Sequence, residues 1–158
     1  MTKHDVRKRF IELGAAVFAV ALPLGLQASD PQDIIKYRQA VMKANGGHLA
    51  AAGAIIQGKV DEHQGQLAEH VRAVQAINKD IPALFPDGSD LGETKALEAV
   101  WNKRADFEKR AKDTREKSEA LAKAVSGGDN KIIVARLKEL QDACKACHKD
   151  FRKEEKKK

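Results

Sequence analysis

Two cysteines stand on one helical stripe near the end of this chain, and their placement constrains the fold more than any other feature. From Ile133 the apolar residues continue as Leu137, Leu140, Cys144, Cys147 and Phe151, in steps of four, three, four, three and four. That rhythm follows the 3.6-residue turn, so both thiols lie one turn apart on the inward face of a helix. A helix with a single apolar stripe has to bury it against other elements. The sequence upstream supplies them.

Ile35, Arg38, Met42, Asn45, Leu49, Ala52 and Ile56 recur at the same steps behind Ser29-Asp30-Pro31, a helix-start pattern with proline near the first position. Gly46 and Gly47 inside this run cost up to about 1 kcal/mol each against alanine, which points to a close approach there. Gly58 closes the helix. A second helix is predicted over 61–81, with Leu67, Val71, Val74, Ile77 and Ile81 on its stripe and Pro82 beyond it. Residues 85–92 (FPDGSDLG) read as a turn-rich loop. Thr94 is the expected cap of a third helix carrying Leu97, Val100, Trp101, Phe107, Ala111, Thr114, Leu121 and Val125. Ser126-Gly127-Gly128 is the next turn, and Asp129 caps a fourth helix that runs to about Arg152. Nothing alternates with the period of a strand. The expectation is all-α: one domain, an antiparallel four-helix bundle. Only 4% of residues are aromatic, which leaves little ring volume for its core.

The N-terminus follows a different logic. Lys3, Arg7, Lys8 and Arg9 precede an apolar run from Leu13 to Leu26, which ends at the small residue Ala28. Fourteen apolar residues suit a signal-peptide core better than a membrane span of about 20. Residues 1–28 are therefore read as a leader cleaved near Ala28, and 29–158 as the exported bundle, with periplasmic localisation and no stable membrane insertion afterwards. Loss of the leader lowers the net charge from +6 to +4. The basic tail at 152–158 lacks interleaved aromatics, so a solvated helix end that steers an acidic protein is favoured over nucleic-acid binding.

Cys144-Lys145-Ala146-Cys147-His148 admits several chemistries. A disulfide between residues three apart in a helix is awkward, although an exported compartment favours oxidation. A thioredoxin-like pair needs a helix start beside a βαβ unit. A structural zinc site needs four ligands, and there is no second cysteine pair. The remaining reading is covalent haem, because Cys-x-x-Cys-His is the attachment pattern for c-type haem and places an imidazole beside the two thioethers. Its alternative is a buried pair of free thiols in a haem-free adaptor. A bundle poor in aromatics has room for a large flat cofactor.

Taken together, the chain resembles the cytochrome c-prime family of exported four-helix-bundle cytochromes. The resemblance covers the predicted mature chain. It rests on Ile35 to Lys43 (IKYRQAVMK), Leu84 to Ser89 (LFPDGS), Trp101 to Phe107, and Cys144 to Arg152 (CKACHKDFR). It implies one haem c held through Cys144 and Cys147, with His148 as proximal iron ligand. It also implies dimerisation through the first two helices and otherwise unnamed redox protein partners, though the outward faces from Gln57 to Gln66 offer no decisive apolar patch. Members of the family divide by the sixth position on the iron. Met42, one turn beyond Arg38 and the sole methionine after the leader, is the residue expected to face it. On the residues alone, packing against the ring is the simpler role for Met42; with the resemblance, ligation becomes the expectation. That makes the chain a low-spin electron carrier with His148/Met42 ligation. The alternative is a five-coordinate, high-spin protein that binds NO or CO. His48, about two turns past Met42, is a competing ligand. Arg38 on the inward stripe needs an anion, which the haem propionates would supply, and Arg152 is a second such candidate beside His148. No triad or carboxylate pair stands out, so no enzymatic activity is expected.

Overall fold

The structure is a computed structural model, and it describes residues 29–154. The expected leader lies outside these residues. Helix α1 spans Pro31–Ile56, α2 Leu67–Asn78, α3 Ala99–Asn102, α4 Arg104–Gly127 and α5 Asn130–Phe151. The four long helices pack in sequence, α1 on α2, α2 on α4 and α4 on α5, whereas α1 and α5 meet only sparsely. The expected all-α bundle is therefore present, with one loosely closed side.

Local chemistry explains the ends. Asp30 accepts a hydrogen bond from the Gln32 amide at 2.7 Å, and Pro31 fills the first turn of α1, where its missing N–H costs nothing. Asp129 caps α5 by accepting from the Lys131 and Ile132 amides at 2.9 and 3.2 Å. Between them Gly128 adopts φ +75°, the left-handed turn that glycine enters without a Cβ penalty.

Five expectations need correction. The second helix begins as a 3₁₀ segment, Asp61–Gln66, and becomes α-helical only at Leu67. Its buried face carries Val71, Val74 and Asn78, with Ile81 buried just past its end, so Asn78 takes the place expected for Ile77. The third helix breaks: α3 is a single turn, and Lys103, at φ −120° and ψ 46°, separates it from α4. Thr94 caps neither piece: its Oγ1 accepts from Arg38 and from the Ala96 amide, and α3 begins only at Ala99. Gly46 and Gly47 face solvent, and no neighbour approaches their Cβ positions. The close approach expected there is absent.

Two apolar clusters fill the bundle. One contains Leu121, Ile133, Leu137 and Leu140. The other contains Ile81, Val100, Phe107 and Phe151, with edge-on ring contacts between Phe85, Phe107 and Phe151. A polar layer separates them: Asn45 from α1, Asn78 from α2, and Thr114 and Ser118 from α4, all buried.

Candidate haem site

Helix α5 carries the two thiols into this core at different levels. Cys144 packs against the first cluster and Cys147 against the second, and both are half-buried and free. Burial raises both thiol pKa values. Cys147 is pushed up to about 11, mainly by desolvation, with Cys144 and Asp150 adding to the rise and Arg110 opposing it. Both sulfurs are thus protonated and uncharged in the folded chain at neutral pH, which suits an apolar surround.

His148 sits one residue on, at the solvent side of the same turn, and its ring is exposed. Partial desolvation and then the charge of Arg152 hold its pKa below the ordinary value, which favours the neutral imidazole able to ligate a metal.

Met42 projects from α1, half-buried, against the same cluster that receives Cys147. The two residues therefore border the sparsely closed α1–α5 side from opposite helices. His48 is otherwise engaged, because its Nδ1 lies 3.0 Å from Nδ1 of His70 on α2 and links those two helices.

Arg38 is buried, at 3% exposure, and its partners are neutral. Nη1 donates to Ser89 Oγ at 2.8 Å, and Nη2 donates to the Ser89 carbonyl at 2.8 Å and to Thr94 Oγ1 at 2.6 Å. The guanidinium also lies 4.9 Å from the centroid of Phe85 and 5.5 Å from that of Trp101. Burial pushes its pKa down, and Asp90 partly restores it. Local periodicity carries no signal for Ser89 and Thr94 as partners, because these contacts span more than fifty residues. Arg152 lies beyond the end of α5, extended and exposed, where its backbone pairs with Ala96. Because α5 ends at Phe151, Arg152 does not continue the helix face that carries His148.

This donor set fits a c-type haem. Two uncharged free thiols are held one turn apart on a helix beside the loosely packed side of the bundle, with an imidazole adjacent. These features define a class: a helical-bundle c-type cytochrome. Residues 33–152 match the family described as Cytochrome C', and the chain belongs to that family. It is 34% identical over 125 residues to the cytochrome c' of Pararhodospirillum photometricum, an alignment that spans 78% of this chain and 99% of that relative. It is 31% identical to cytochrome c-556 of Rhodopseudomonas palustris, over 78% of this chain and 85% of that protein. Among solved structures, cytochrome c prime from Shewanella frigidimarina superposes with a TM-score of 0.75 at 29% identity, covering 81% of this chain and all of that one. Cytochrome c' from Rubrivivax gelatinosus gives 0.74 at 32%, covering 80% and 100%. The protein is a mono-haem c-type cytochrome, with its haem covalently attached through Cys144 and Cys147. Solved neighbours of the same fold include a nitric oxide complex and a carbon monoxide-bound variant of cytochrome c prime from Alcaligenes xylosoxidans, each 23% identical to this chain.

Proposed function

We propose that this cytochrome is a periplasmic gas-binding protein. In this reading His148 ligates the haem iron on one side, while Met42 covers the other side without ligating it. The observation that carries the reading is the match to cytochromes c' along nearly their whole length, since such proteins are typically high-spin and five-coordinate. The low-spin His148/Met42 carrier expected from the sequence is set aside on that ground. Met42 keeps the role that its packing supports, an apolar cover held against the Phe107 and Phe151 cluster. When bound, haem supplies a redox-active iron with affinity for NO and CO. The chain contributes anchoring at Cys144 and Cys147, exclusion of water by the apolar clusters, and restricted access past Met42. Arg38, with two of its five N–H donors outside the bonds to Ser89 and Thr94, is the proposed partner of the haem's carboxylate edge. Arg152 serves the His148 side as a solvent-exposed charge. Among the described residues no helix is long and apolar enough to cross a membrane.

An absorption spectrum tests this reading. A high-spin ferric protein whose ferrous spectrum shifts on adding CO supports it. A low-spin spectrum indifferent to CO restores the electron-carrier reading, and Met42→Ala should then convert that protein to a CO-binding form.

A further inference from the structure

The polar layer between the two clusters holds an unexplained pair. Asn45 Nδ2 donates to Asn78 Oδ1 at 2.8 Å, yet Asn45 Oδ1 and Asn78 Nδ2 find no partner within the protein. The residues are 9% and 0% exposed, so water does not reach them from outside. Turning both amides over would swap the roles and still leave one nitrogen and one oxygen unpaired. Thr114 and Ser118 do not help, because their hydroxyls donate to carbonyls of their own helix, at 3.0 Å to Arg110 and 2.7 Å to Ser118's neighbour Arg115. An unsatisfied buried amide group carries its full desolvation penalty, which apolar residues would avoid. An unpaired group of this kind calls for a partner.

Register locates that partner. Asn45 stands one turn after Met42 on the inward face of α1, between Met42, which packs on the second cluster, and Leu49, which packs on the first. Cys144 and Cys147 straddle the same two clusters from α5. The amide pair therefore lies at the level of the haem attachment, on the Met42 side. We infer that Asn45 and Asn78 form a hydrogen-bonding element for the ligand on the distal face of the haem, selecting diatomics whose outer oxygen gains negative charge at the iron. This inference rests on the gas-binding reading and adds to it a polar device within an otherwise apolar cover. An amide N–H within hydrogen-bond reach of that oxygen would stabilise it, and donors on that face help decide which gas is held.

The test is the C–O stretch and CO release rate of the ferrous protein, wild type and Met42→Ala, each alone and with Asn45→Leu or Asn78→Leu. Loss of the donor should move the stretch to higher wavenumber and speed release roughly two- to tenfold, the worth of one hydrogen bond. If CO binds and neither asparagine variant alters stretch or release, the inference is overturned. If wild type takes no CO but Met42→Ala does, with a stretch that responds to the asparagines, the gas-binding reading fails while the amide pair keeps its role. Should a leucine variant not incorporate haem, Asn45→Ala and Asn78→Ala serve for the same comparison.

Discussion

Arg38 shows how much one side chain can organise. Its three hydrogen bonds fasten α1 to the loop at Ser89 and Thr94, and its charge rests on two aromatic faces. Replacing it with alanine should cost about 3–4 kcal/mol in urea unfolding, since charged hydrogen bonds are lost and buried acceptors are left unpaired. Ser89→Ala should cost less, about 1–3 kcal/mol, and the double variant less than the sum, because the two residues share one network. The thiols act at the same scale. Cys147→Ser should retain covalent haem through Cys144 alone, whereas the double Cys144→Ser/Cys147→Ser protein should show no haem mass under denaturing mass spectrometry. The presence of Arg38 on an inward stripe was legible in the sequence as an inward-facing charge in need of a partner. Its actual partners were not, because they come from a loop whose path is fixed by packing.

At the level of elements, the helix ends follow rules written in neighbouring residues. Asp129→Ala should lower stability by about 1 kcal/mol through loss of the α5 cap, and Gly128→Ala should add a comparable loss because its φ is positive. Both are measurable by thermal unfolding. On the outer face of α5, Lys138 donates to Asp142 at 2.7 Å and Arg136 to Glu139 at 2.8 Å. These contacts hold both carboxyls below their usual range. Their small stabilising contribution is complete above the ordinary carboxylate pKa and fades as pH falls through the lowered values. An NMR titration of Lys138→Ala should therefore find the Asp142 midpoint moved upward. The break at Lys103 and the 3₁₀ entry to α2 escaped the sequence reading. Both segments keep helical composition, and only the path of the chain across the bundle end bends them.

The whole molecule is held unevenly. Three sides of the bundle are closely packed, while α1 and α5 leave the side that the haem anchors face. Removing the cofactor should therefore raise hydrogen exchange first in α1 around Met42 and in α5 around Cys144 to Cys147, with the α4–α5 contact near Leu121 and Leu137 protected longest. The residues that follow α5 are fastened to the loop before α3. The Lys153 amide donates to the Lys95 carbonyl at 2.8 Å and the Leu97 amide to the Phe151 carbonyl at 3.0 Å, just beyond the haem motif. This clip ties α5 to the same loop that Arg38 grips, so α1, the loop and the cysteine-bearing helix share one network at that end.

The sequence by itself determined the helices, the inward stripe, the haem-attachment residues and the family, because periodicity, caps and a five-residue motif are local properties of the chain. Tertiary structure alone decided what the inward polar residues meet. It gave Arg38 neutral acceptors and rings, tied His48 to His70, and set Asn45 against Asn78 with one donor and one acceptor unpaired. Those outcomes depend on which helices become neighbours and in what register. A side chain's spacing fixes the face it occupies, and only packing fixes what stands opposite.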